Sequence, residues 1–165
     1  MHPAALPLAE LLRHCVETRT RRGGPGGQHR NKVETAVVLV HRPTGLAAEA
    51  SERRSQAENR RVALRRLRLT LALEHRAPPD ASGSSSLWRS RVRDRRLVIA
   101  VEHDDYPALV AEALDQLAVA GFEPGTAAAR LGVTTSQLVG LVHKSPAVWA
   151  AVNRLRAERG LRPLR

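Results

Sequence analysis

Near residue 55 the hydrophobic period of this chain changes from two to between three and four, and that change sets the order of its elements. Residues 34–41, ETAVVLVH, are rich in β-branched side chains and bounded by polar ones, which predicts a strand. RPTG at residues 42–45 puts proline and glycine at turn positions, and residues 46–50 give a weak return strand, so the pair forms a hairpin. Residues 15–20 alternate apolar and polar and predict a short strand upstream. From Ser55 to His75, Val62, Leu64, Leu67, Leu69, Leu71 and Leu73 recur among strong helix formers, which predicts one long helix carrying Arg60, Arg61, Arg65, Arg66 and Arg68.

Residues 77–86, APPDASGSSS, end that helix with prolines and continue in residues with nothing to bury, so the domain boundary falls here. Residues 1–76 are expected to form one domain, 77–96 a linker that becomes arginine-rich, and 97–165 a helical module opened by the short apolar run LVIAV. That run reads as a strand, a helix or an extended arm. The acidic residues 102–105, EHDD, suit the start of a helix better than a metal site. Helices follow over 107–121, 126–131, 134–142 and 146–159. The middle pair, with Gly132 at a tight turn and Val133 and Leu138 as anchors, has a helix-turn-helix pattern.

Charge narrows the partner. The 165 residues carry a net charge of +11, almost all of it arginine, since lysine occurs only at Lys32 and Lys144. A polyanion, nucleic acid first, is the partner such a balance favours. A membrane is disfavoured, because neither a long apolar span nor a basic amphipathic helix with bulky anchors dominates. The first residues do not form a secretory signal, so a cytoplasmic location is expected. Cys15 stands alone, which excludes an internal disulfide framework and a cysteine-based zinc cage, and no metal or cofactor is expected. Trp88, Tyr106, Phe122 and Trp149 are the only aromatic residues of the Phe, Trp and Tyr set. Base stacking on aromatic side chains is therefore disfavoured against arginine contacts to phosphate.

The densest motif is RRGGPGGQHRNK at residues 21–32. A phosphate-cradling loop requires a Lys-Ser/Thr pair that is missing here, and a dinucleotide fingerprint opens into a helix where this chain predicts a strand. A lone GGQ would read as a flexible turn. Its surroundings are more specific: Gly26-Gly27-Gln28 is followed by Asn31-Lys32, by Pro43-Thr44-Gly45, and by Arg54-Ser55-Gln56 with Asn59. Residues 19–68 thereby closely resemble the catalytic domain of class I peptide chain release factors, with several linked motifs at the family's spacing.

An α+β fold is expected, with a small mixed β-sheet GGQ domain and one long helix, to which the helical pattern after the linker adds a small C-terminal module. The resemblance covers the first of these. It implies hydrolysis of the ester between nascent peptide and tRNA in the ribosomal peptidyl-transferase centre. In that family the two glycines, here Gly26 and Gly27, set the loop conformation. The backbone N–H of Gln28 then stabilises the transition state, and its side chain places water and excludes larger nucleophiles. Such chemistry rests on positioning and electrostatics more than on a strong base. His29 has no visible partner for general-base work and is expected to face RNA or to pack the loop. Arg21, Arg22, Arg30, Asn31 and Lys32 are expected to contact RNA around the loop. Arg54 and Gln56 are expected to do so from the helix start, where Ser55 equally suits a capping role.

The chain resembles the short, codon-independent rescue members of the family, which free stalled ribosomes. It is expected to act as a monomer, with ribosomal RNA and P-site peptidyl-tRNA as partners. It departs from them after the linker, where a helical module stands in place of a disordered basic tail. Arg89, Arg91, Arg93, Arg95 and Arg96 are expected to bind RNA as an arm, or the module docks on the ribosome. The other function class is a non-catalytic RNA-binding protein that keeps the fold. A DNA reader based on residues 128–142 is weaker, because TTSQLVGLV is short of basic residues.

Overall fold

A computed structural model describes residues 1–20, 35–78 and 83–165. These fall into two compact units, Leu6–Leu71 and a second made of Met1–Ala5 with Ala72–Arg165.

In the first unit α1 (Leu8–Arg13) leads into β1 (Cys15–Thr20), β2 (Ala36–His41) and β3 (Ala47–Ala50), and then into α2 (Gln56–Glu74), whose last turn belongs to the second unit. The sheet runs β1-β2-β3, with Cys15 opposite His41 and Val37 opposite Ala50. The α+β class holds. Within it the sheet is antiparallel rather than mixed, because each strand folds back along the one before it. In β2, Val37, Leu39 and His41 are buried and Val38 and Val40 half-buried, the alternation expected of a strand with one covered face. The hairpin turn ends with Gly45 at φ +70°, where a side chain would cost about 1–2 kcal/mol. Its N–H donates to His41 O at 2.8 Å, and Thr44 Oγ1 lies 2.8 Å from His41 Nδ1.

The buried row of α2 differs from the six aliphatic residues that mark it in the sequence. Leu67 and Leu71 are buried, but Val62, Leu64, Leu69 and Leu73 are only half-buried. Asn59 and Ala63 complete a row spaced by four, the separation that stacks side chains on one helix face.

The second unit holds a 3₁₀ turn (Pro3–Ala5), α3 (Ser86–Arg91), the hairpin of β4 (Val92–Arg93) and β5 (Arg96–Leu97), and helices α4 (Tyr106–Val119), α5 (Pro124–Arg130), α6 (Thr135–His143) and α7 (Pro146–Ala157). Leu109, Leu114, Leu117, Phe122, Leu138, Val148 and Val152 are buried within it. Gly132, at φ +68°, turns the chain between α5 and α6, and Thr134 caps α6 by accepting from Gln137 N. Both helices of the expected helix-turn-helix are present, with Val133 and Leu138 buried.

The expectation for the linker changes here. Residues 86–96 are helix and hairpin where a linker was expected, because Ser85 Oγ caps α3 at Trp88 N and the buried Trp88 indole donates to Leu131 O at 2.9 Å. Of LVIAV only Leu97 lies in a strand and none of it in a helix, so of its three readings the strand and the helix fall. The acidic run does precede a helix as expected, with Asp105 at the N-cap position of α4, where its carboxylate accepts from Arg91 Nη2 at 2.5 Å.

Met1–Ala5 sit apart from the domain to which the sequence assigns them because His2 is built into the second unit. Ala4 N donates to His2 Nδ1 at 3.0 Å, so the neutral ring carries its proton on Nε2 and donates it to His75 O at 3.1 Å. Burial pushes the His2 pKa down to about 4. As pH falls from 6.5 towards 4, the unfolded chain takes up a proton that folded His2 refuses, so His2 contributes a loss of stability across that window. Asp115 opposes it. Burial, outweighing the pull of Arg76 3.2 Å away, lifts its carboxyl to about 6, so the folded state gains that proton first. An NMR titration should show the His2 ring unprotonated at pH 5, and His2→Gln should remove its part of the acid sensitivity. A His2 midpoint near 6.5 would show that the ring is not held in this pair of bonds.

Candidate active site

The segment that carries the glycine motif joins β1 to β2, and its flanks are closely held. Thr20 and Ala36, the last residue of one strand and the first of the next, are register partners, so both flanks leave the sheet at one place. Gly26, Gly27 and Gln28, and with them Arg21, Arg22, His29, Arg30, Asn31 and Lys32, lie outside the described residues.

Beside those flanks stands the start of α2. Asn59 is fully buried, and its Nδ2 donates to Thr35 O at 2.7 Å and to Arg53 O at 2.8 Å. Its Oδ1 accepts from Arg53 N at 2.9 Å. Two carbonyls on one side and one N–H on the other leave no choice of amide orientation. One side chain thus ties together the residue that follows the motif segment, the loop before α2 and the helix itself. Ser55 caps that helix, its Oγ accepting from Glu58 N at 3.3 Å, which settles its role in favour of capping.

A second tie runs from β1. Glu17 Oε2 accepts from Arg60 Nε at 2.7 Å, and Arg19 lies 3.5 Å from its other oxygen. The hydrogen bond from Arg60 is the main reason the Glu17 carboxyl is held below the usual range. Arg66 donates to Glu49 O at 2.7 Å and pairs with Glu52 at 2.6 Å, fixing α2 to β3 and the loop after it.

Of the other expected RNA contacts, Arg54 is exposed in the loop before α2 and Gln56 begins that helix half-buried. The bonds of Asn59 bring both to the end of the sheet where the motif segment is attached. Arg89, Arg91, Arg93, Arg95 and Arg96 belong to the other unit. Arg91 is committed to Asp105, while Arg93, Arg95 and Arg96 are exposed. Sequence reasoning missed three positioning residues. Asn59 was visible as a motif position but not as a clamp, and the pairing of Glu17 with Arg60, 43 residues apart, has no local signal. Among the described residues no group of three or more His, Cys, Asp or Glu side chains is placed to hold a metal.

Two antiparallel strands thus hold the ends of the segment that carries the motif, and the first turn of one helix braces the second of those ends. The RF-1 domain family matches residues 12–97, more than half of the chain, and the chain belongs to that family. It is 44% identical over 72 residues to peptide chain release factor 1 of Symbiobacterium thermophilum, covering 44% of this chain and 20% of that protein. It is 51% identical over 63 residues to peptide chain release factor 1 of Caldicellulosiruptor bescii, covering 38% and 18%. With the human mitochondrial peptide chain release factor 1 it shares 53% identity over 51 residues, 31% of this chain and 12% of that one. The alignments thus span a fifth or less of these relatives.

Proposed function

We propose that the protein hydrolyses the ester of peptidyl-tRNA on the ribosome and does so without reading a codon. The observation that carries this reading is the Gly26-Gly27-Gln28 triplet within a matched release-factor domain, its flanks braced by a strand pair and Asn59. Ester hydrolysis needs a positioned water and a donor where negative charge grows on oxygen. The Gln28 backbone N–H supplies that donor, its side chain orders the water, and the glycines permit the approach to packed RNA. Arg21, Arg22, His29, Arg30, Asn31 and Lys32 hold the loop among phosphates, helped by Arg54 and Gln56. The codon-independent part of the reading gives the helical unit after residue 97 the task of choosing the ribosome. The protein acts as a monomer in the cytoplasm; no described helix is long and apolar enough to cross a membrane.

The test is release of labelled peptide from purified ribosomes stalled on a truncated message, beside ribosomes halted with a stop codon in the A site. Release from the first set regardless of codon supports the reading. Release only at stop codons overturns codon independence, and ribosome binding without release from either set favours the non-catalytic RNA-binding reading.

A further inference from the structure

The hairpin of β4 and β5 is held in an unfavourable conformation by the helical unit. Its two turn residues, Asp94 and Arg95, have φ of +48° and +61°, the left-handed region that a two-residue hairpin turn demands and that glycine or asparagine normally fills. Arginine is a poor occupant of that position. The backbone around it is nevertheless fixed from α6: Gln137 Oε1 accepts from Leu97 N at 3.1 Å, and Thr134 N, just before the helix, donates to Arg95 O at 3.4 Å. An unfavourable residue held by its surroundings at an exposed tip marks a place where the side chain is required.

The side chains so presented are Arg93, Arg95 and Arg96, all exposed and in no ion pair among the described residues. Arg91, the nearest other arginine of the hairpin's base, is taken by Asp105. The hairpin has no aromatic residue for stacking on bases, while arginine forks match phosphate oxygens.

We infer that the β4–β5 hairpin is a preformed clamp for an RNA phosphate backbone, with Arg93, Arg95 and Arg96 as its contacts and α6 as its support. This assigns the second helix of the helix-turn-helix a scaffolding role rather than a reading one, and makes binding independent of base sequence. The inference rests on the ribosome being the partner proposed above, but not on the chemistry at Gln28.

Arg95→Gly separates structure from binding. Glycine relieves the left-handed turn, so the Tm should hold or rise, while a contact to phosphate is lost. With full-length protein and purified ribosomes, Arg95→Gly combined with Arg96→Gln should weaken affinity by about tenfold per lost contact at 0.1 M salt. The slope of log affinity against log salt should flatten by about 0.7–0.9 for each. Gln137→Ala, which frees the hairpin and keeps every arginine, should weaken binding with little change in slope.

RNA is distinguished from an acidic protein surface by tethered cleavage. Val98, 68% exposed beside β5, is replaced by cysteine in a Cys15→Ser background and carries an iron chelate. Cuts in ribosomal RNA near the chelate support the clamp. Weakened binding without RNA cuts points to a protein partner and overturns it, as do an unchanged affinity and salt slope. Absence of peptide release with the salt effect intact would instead sink the hydrolase and leave the clamp standing.

Discussion

Asn59→Ala is expected to lower the stability of the protein by about 3 kcal/mol, because it takes away the side chain that bonds two carbonyl oxygens and one N–H. Each such group costs about 1–3 kcal/mol when left unsatisfied, and partial access to water at Thr35 and Arg53 keeps the sum below the maximum. A fall of this size is a large part of the ordinary total of about 5–15 kcal/mol. It should appear as a drop in Tm on the order of 10 °C. Asn59→Asp is the informative companion. It keeps an acceptor for Arg53 N but turns a carboxylate towards the carbonyls of Thr35 and Arg53, so it should be no better than alanine despite its near-identical shape. Peptide release should fall in both variants even where they remain folded, since Thr35 is the first described residue after the motif segment. A Tm within 2 °C of wild type for both, by the same assay, would remove Asn59 from its place as the clamp; here about 2 °C corresponds to well under 1 kcal/mol.

The same residue shows what could be read before the structure. β2 and the turn at Gly45 were legible because β-branched residues alternate and PTG has the chemistry of a turn. The long helix α2 was legible as a helix, but its buried face was not. Hydropathy points to Val62, Leu64 and Leu73, whereas the packed row passes through Asn59 and Ala63. A buried amide satisfied on three sides has the sequence signature of a surface residue, and only the motif spacing singled it out. The second hairpin was illegible for a different reason. Strands of two residues carry no period, and Asp-Arg is not the pair that marks a left-handed turn, so tertiary bonds from Gln137 and Thr134 decide the conformation against local preference. For Glu17 and Arg60 the pairing is set by the packing of β1 on α2, which no local pattern announces. The glycine motif is the converse case, with its residues readable from sequence alone and only its anchors supplied by the structure.

Those anchors lead to the sharpest expectation about chemistry. Gly27→Ala should reduce peptide release by about 10²–10³-fold or more, the cost of misplacing one donor to a developing oxyanion. Gln28→Ala should cost much less in hydrolysis by water. On the proposed mechanism the backbone N–H survives in Gln28→Ala, and what disappears is the side chain given the task of ordering water and turning away larger nucleophiles. That variant should accordingly become more tolerant of hydroxylamine or small alcohols as acceptors. In Gly27→Ala the added Cβ restricts backbone angles that glycine leaves open, so the proposed mechanism expects the N–H that follows to be displaced whatever the side chain of residue 28. Neither substitution touches Asn59, Glu17 or Arg60, so Tm and ribosome affinity should stay close to wild type and the loss should lie in the rate at saturating protein. Equal losses in the two variants would argue that the glutamine side chain, not the backbone donor, carries the reaction. A raised Kd with an unchanged saturated rate would move the glycines from catalysis to docking.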